Sequence, residues 1–88
     1  MIKIGIFGLG YVGLPLAISF SKKFKVVGYD ININRIKELN LKYDSTKEFS
    51  SRDLKKVKSI KYTNNIKDLS KCNVYIITVP TPINKKNK

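Results

Sequence analysis

Ile2-Lys3-Ile4-Gly5-Ile6-Phe7-Gly8-Leu9-Gly10-Tyr11-Val12-Gly13-Leu14 lies at the start of an 88-residue chain, and a lone acid, Asp30, follows the next apolar run. The order is a strand, a glycine-rich turn, a helix, a second strand and a carboxylate. It is the pattern of a βαβ unit that binds a dinucleotide, and each part has a mechanical reason. Gly8 turns the chain sharply out of the first strand. Gly10 has no side chain, so a pyrophosphate can lie close to the backbone. Gly13 lets the helix pack tightly on the strand. The helix then points its unpaired amides and the positive end of its dipole at the phosphate charge.

Asp30 follows Gly13 by seventeen residues, at the end of the second strand. A carboxylate there can accept both hydroxyls of an adenosine ribose and repels a 2′-phosphate, so NAD is the expected cofactor rather than NADP. Arg35 qualifies that preference, since a nearby arginine can receive a phosphate; its other reading is an ordinary exposed helix charge. A bare glycine pattern is also compatible with a βα turn that holds no ligand. The apolar run before it, the amphipathic helix after it and the placed acid favour the ligand.

Eighty-eight residues make at most one small domain. The apolar share of 42% suffices for a core, and no run approaches the roughly 20 apolar residues of a membrane span. The start has no signal-peptide layout, because Gly8, Gly10 and Gly13 break the apolar stretch. Cys72 is the only cysteine and histidine is absent, so neither an intrachain disulfide nor a structural zinc is expected. A cytoplasmic location follows as the expectation. The formal charge of +12 raises nucleic acid as a partner, but lysine supplies sixteen of the eighteen basic residues, scattered from Lys3 to Lys88. No aromatic RNA-binding motif or helix-turn-helix pattern accompanies them, so nucleic acid is not an expected partner.

Along the chain, Ile2 to Phe7 reads as a strand buried on both faces. Tyr11 to about Lys23 reads as a helix with Val12, Leu16, Ala17 and Phe20 inward and Pro15 harmless in the first turn. Lys25 to Tyr29 is the second strand. Asn32 or Asn34 caps a helix running to about Leu41. A polar loop, Tyr43 to Ser50, leads to Ser51 as the cap of a helix over Arg52 to Val57. Ile60 to Thr63 is a short third strand, Asn65 to Ser70 a helical turn, and Asn73 to Val79 a strongly buried fourth strand stopped by Pro80 and Pro82.

The fold class is therefore α/β, a Rossmann-like doubly wound parallel sheet of about four strands in the order 3-2-1-4. Four strands are fewer than the six of a complete domain of this type, so the sheet is expected to be incomplete. Strands one and four flank the switch point, where ligands bind above the carboxyl ends. The Gly8–Gly13 turn and Thr78-Val79-Pro80-Thr81-Pro82 then face one crevice. Thr81 can aim its hydroxyl and amide at a ribose or at the nicotinamide end; its plainer reading is part of a strand terminator.

With both motifs in view, the chain resembles the NAD-binding start of the UDP-glucose/GDP-mannose dehydrogenase family. The resemblance rests on Gly8-Leu9-Gly10-Tyr11-Val12-Gly13-Leu14-Pro15-Leu16-Ala17, on Tyr29-Asp30-Ile31-Asn32 with Arg35-Ile36, and on Ile77-Thr78-Val79-Pro80-Thr81-Pro82-Ile83. Asp44-Ser45-Thr46-Lys47-Glu48 is similar to the bacterial branch that oxidises UDP-N-acetylhexosamines for surface polysaccharides. The resemblance implies that Gly8, Gly10, Tyr11, Val12 and Gly13 form the pyrophosphate turn, that Asp30 binds the adenosine ribose with Arg35 beside it, and that Thr81 contacts NAD near its nicotinamide. Lys42 stands where that branch usually has glycine, so the second helix is expected to end differently.

The resemblance also implies a two-domain enzyme of several hundred residues that oxidises a UDP-sugar 6-hydroxyl to a carboxylate with two NAD, and that dimerises through later segments. Its nucleophilic cysteine comes far beyond residue 88, so residues 1–88 correspond to part of the cofactor domain, without the sugar-binding and catalytic half. No catalytic residue is expected among them. Cys72, at the end of its strand away from the crevice, reads as a structural thiol. Two other readings stay open: the cofactor domain of another NAD(P)-dependent dehydrogenase, and a non-catalytic nucleotide-binding module.

Overall fold

The structure is a computed structural model and describes residues 1–78. Four strands form one parallel sheet: β1 (Lys3–Phe7), β2 (Lys25–Tyr29), β3 (Ile60–Thr63) and β4 (Val74–Ile77), in the spatial order β3-β2-β1-β4. The order matches the expectation. Three helices, α1 (Gly13–Ser21), α2 (Ile33–Asn40) and α3 (Ser51–Lys56), and a 3-10 turn at Ile66–Leu69 make the crossovers. Because the strands run the same way, their ends line up. Phe7 is level with Tyr29 on one side and Ile77 on the other, and Tyr29 with Thr63. Gly8, Asp30 and Thr78 therefore leave the sheet side by side.

The core lies on both faces of β1 and β2. Ile4, Ile6 and Val26 pack with Leu9, Leu14, Ala17, Ile36, Leu39, Leu54 and Tyr62, while Val27 joins Leu69 and Cys72 in a second cluster. Helix α1 begins two residues later than the sequence suggests, at Gly13 with Val12 as the N-cap residue. That shift rotates its stripe. Leu14 and Ala17 are buried, whereas Val12, expected inward, is 58% exposed. Pro15 falls in the first turn, where no amide is needed.

Helix α2 starts as its sequence suggests, with the Asn32 side chain accepting from the amides of Asn34 and Arg35. Helix α3 starts one residue early: Ser50, not Ser51, accepts from the Asp53 amide. The fourth strand differs most. It is shorter than expected in the described residues, and Val74, Tyr75 and Ile77 are exposed rather than strongly buried. An apolar run reads alike in a central and an edge strand, and among the described residues β4 pairs with β1 alone.

Lys42 overturns the expectation that α2 ends in some other way. Its φ is 64°, the left-handed conformation that glycine favours. The Tyr43 amide donates to Glu38 O at 2.8 Å and the Lys42 amide to Leu39 O at 3.0 Å, the paired bonds of a Schellman cap. Those two bonds hold lysine in a conformation that its Cβ disfavours.

Candidate dinucleotide site

The glycine turn is built from three glycines in three different surroundings. A Cβ on Gly8, whose φ is +100°, would run into the Thr78 carbonyl. On Gly13 it would run into the Gly8 carbonyl. Here the bare backbone is needed so that the end of β1, the start of α1 and the end of β4 can touch. Gly10 is the opposite case, with nothing within 4 Å of its Cβ position. Protein packing gives no reason for a glycine there, but a ligand lying on the backbone does.

The start of α1 is also unlike the other helix starts. Asn32 caps α2, Ser50 caps α3 and Asn65 caps the 3-10 turn, each through a side-chain oxygen. No side chain caps α1, and its first turn carries no acid. The helix bonding begins with Leu14 N donating to Gly10 O at 3.2 Å. The preceding part of the turn, where Tyr11 is 68% exposed beside Val12, faces solvent. An uncapped, acid-free helix start suits an anion.

Asp30 sits against this turn. Its Oδ2 accepts from the Leu9 amide at 2.9 Å and its Oδ1 from the Asn32 amide at 2.9 Å. Each carboxylate oxygen keeps further acceptor capacity, and the residue is half-buried, so ribose hydroxyls can still reach it. Ile31, directly after it, is exposed and apolar.

Arg35 is not an exposed helix charge. It is only 7% exposed, and its Nε donates to the Leu9 carbonyl oxygen at 2.6 Å. Its Nη1 lies 2.7 Å from Glu38 Oε2 and 2.8 Å from Asp44 Oδ1. Arg35 therefore stands behind the turn and supports it, and among the described residues its Nη2 has no acceptor. Thr81, and with it Val79, Pro80 and Pro82, lies outside the described residues. Thr78 from the same segment does meet the turn. Its amide donates to Phe7 O at 2.8 Å, and its hydroxyl lies 3.0 Å from both Phe7 O and Gly8 O.

Two contributors were missed in the sequence, Leu9 and Asp44, whereas Thr78 meets the turn as its segment was expected to. Leu9 is wholly buried and packs over Gly28, where an added Cβ would come within 2.9 Å of its side chain. Burying a leucine is worth roughly 1.5–3 kcal/mol, enough to anchor the turn between its two glycines. An apolar residue flanked by Gly8 and Gly10 was the available signal. Asp44, the second, stood in a stretch similar to the bacterial branch, but nothing there signalled a link to the turn, because it lies in a loop without a repeating pattern, nine residues from its partner Arg35 in α2.

Burial pushes the Asp44 carboxyl up, but hydrogen bonds from Thr46, Arg35 and the Phe49 amide outweigh it and hold the pKa below the ordinary value. Glu38 behaves alike: burial raises it, and its bonds from Ser45 and Arg35 lower it further than that. Burial raises the Cys72 thiol, with the Lys3 charge opposing, which disfavours its thiolate form.

Two shallow hollows of about 320 and 310 Å³ lie at the other end of the sheet, lined by Lys22, Lys23 and Lys25 and by Lys3, Lys58 and Lys61. They are remote from the glycine turn and from Asp30. Among the described residues no group of three His, Cys, Asp or Glu could hold a metal ion, and no helix is long and apolar enough to cross a membrane.

Comparison with known proteins agrees with this geometry. Residues 2–88 match the family model described as the UDP-glucose/GDP-mannose dehydrogenase family, NAD binding domain. A UDP-N-acetyl-D-glucosamine 6-dehydrogenase from Pseudomonas aeruginosa is 54% identical over 84 residues, which are 96% of this chain and 20% of that protein. The solved UDP-D-ManNAc dehydrogenase from Pyrococcus horikoshii superposes with a TM-score of 0.84 at 39% identity, over 96% of this chain and 21% of its own. A ternary complex of GDP-mannose dehydrogenase from Pseudomonas aeruginosa gives 0.83 at 27% identity, over 99% and 21%. The chain thus spans about a fifth of the length of the relatives it matches. Family model, relatives and the glycine turn with its acid agree: the chain belongs to the UDP-glucose/GDP-mannose dehydrogenase family and matches its NAD-binding domain.

Proposed function

We propose that residues 1–88 hold the adenosine and pyrophosphate of NAD in a nucleotide-sugar 6-dehydrogenase, with a UDP-N-acetylhexosamine or UDP-glucose as the substrate of the whole enzyme. The contrast among the glycines carries this reading: Gly8 and Gly13 are required by the packing, whereas Gly10 opens on free space at an uncapped helix start. The amides from Gly10 to Gly13, including those of Tyr11 and Val12, would receive the pyrophosphate. Asp30 would accept the ribose hydroxyls while keeping its bond to the Leu9 amide, and Ile31 offers an apolar surface beside it. Arg35 would serve by holding Leu9 from behind, and Thr81 would approach the nicotinamide side.

NAD, when bound, supplies the hydride acceptor for oxidation of an alcohol carbon. The sugar-binding and catalytic half is proposed to lie outside these residues, as is the surface of a homodimer. The setting is a cytoplasmic enzyme of surface polysaccharide synthesis, a role that suits a UDP-sugar substrate. Calorimetric titration of the chain with NAD and NADP tests the cofactor part. NAD should bind more tightly than NADP, and Asp30→Ala should weaken NAD about tenfold. Tighter binding of NADP overturns the role of Asp30. Formation of NADH by the 88-residue chain with UDP-N-acetylglucosamine would overturn the placement of the catalytic half elsewhere.

A further inference from the structure

We infer that Asp44, a loop residue outside both sequence motifs, is a positioning residue for the dinucleotide site: it aims the Gly10 amide through Arg35 and Leu9. The inference rests on the NAD reading above. The Asp44 side chain is completely buried. Its Oδ1 accepts from Arg35 Nη1 at 2.8 Å, from the Thr46 amide at 3.0 Å and from Thr46 Oγ1 at 2.6 Å. Its Oδ2 accepts from the amides of Glu48 and Phe49, each at 3.0 Å. The loop from Asp44 to Phe49 thus folds around one carboxylate, and Lys47 takes a left-handed φ of 63° within it.

The guanidinium is a rigid plane, so fixing one nitrogen fixes the others. Asp44 and Glu38 hold Arg35 Nη1, and this orients Nε toward the Leu9 carbonyl at 2.6 Å. The Leu9–Gly10 peptide is trans, because the described residues contain no cis peptide. In a trans peptide the carbonyl and the following amide point in opposite directions. Drawing Leu9 O toward the buried arginine therefore turns the Gly10 N–H away from it, at the residue whose Cβ position opens on free space. The Leu9 amide, held by Asp30 at 2.9 Å, and the buried Leu9 side chain prevent the peptide from rotating. Asp44 touches no part of the expected cofactor; it acts only along this chain of contacts.

The test compares the wild-type chain with Asp44→Asn, Arg35→Lys and the double variant, by amide NMR without ligand and by NAD titration. Asp44→Asn should shift the Leu9 and Gly10 amide resonances before any NAD is added and weaken NAD about tenfold. In the Arg35→Lys background it should change affinity less than twofold, since the link it acts through is already gone. Leu69→Ala, a buried substitution on the other side of the sheet, should lower stability and leave the affinity within twofold. If Asp44→Asn does not fold, Thr46→Val, which removes one hydroxyl donor to Oδ1, should shift the same two resonances and weaken NAD about threefold. Unmoved Leu9 and Gly10 resonances, an unchanged NAD affinity, or full additivity in the double variant overturns the inference while the NAD reading stands. Failure of the wild-type chain to bind NAD overturns both.

Discussion

Arg35 Nε donates to the carbonyl oxygen of Leu9 at 2.6 Å, across 26 residues of sequence. With Asp30 on the Leu9 amide, both polar groups of that one residue are engaged, and its side chain is in the core. The turn proposed to face NAD is therefore held from behind by groups that do not themselves form its surface. Preorganisation of this kind reduces the ordering that binding must cost.

The glycines should respond to the same substitution in opposite ways. Gly13→Ala forces a Cβ onto the Gly8 carbonyl and should cost about 3 kcal/mol or more in denaturant unfolding. Gly10→Ala meets no protein atom and should change stability by less than about 0.5 kcal/mol. It should nonetheless weaken NAD by more than about tenfold, because the methyl occupies the space left for the pyrophosphate. Equal losses of stability for the two variants would contradict the distinction.

Lys42→Gly should stabilise the chain. Lysine at a φ of 64° carries the left-handed penalty of roughly 1–2 kcal/mol, and glycine returns part of this as added freedom in the unfolded chain. A net gain of roughly 0.5–1 kcal/mol should appear as a higher urea midpoint with unchanged slope. A lower midpoint would mean that the lysine side chain does more than terminate α2.

Acid should weaken the fold through the carboxylates around Arg35. Asp44 and Glu38 have folded pKa values below their ordinary ones. Their contribution is therefore complete above the unfolded values, about 4, and is lost as the pH falls through the folded values. Urea midpoints should be similar at pH 7 and pH 5 and lower at pH 3. Asp44→Asn should lower the midpoint at pH 7 and reduce the drop between pH 5 and pH 3. The drop should not vanish, because the Thr63 hydroxyl also holds the Asp68 carboxyl down. An undiminished drop would assign the acid sensitivity elsewhere.

The strand order, the glycine turn and the place of Asp30 were legible because each depends on residues close in sequence or on a strong topological rule. Leu9 and Asp44 were not, for a physical reason: their roles arise from contacts across the fold. A buried arginine and an exposed one look the same in a helix until the loop that neutralises it is located. The start of α1 was misjudged because an exposed Val12 and a buried Leu14 are equally apolar. The edge position of β4 was hidden in the same way, since Val74-Tyr75-Ile76-Ile77 would suit a central strand equally well.

Among the described residues, helix α1 alone begins without a side-chain partner from its own sequence. A missing cap of this kind leaves a helix end about 1 kcal/mol weaker than a capped one. Its first amides are therefore left without a side-chain acceptor on a turn that is otherwise held in place, and an anion seated there would act as the absent cap. Leaving that position vacant for a guest, instead of filling it from within as the neighbouring helices do, is then a design for occupancy by something else.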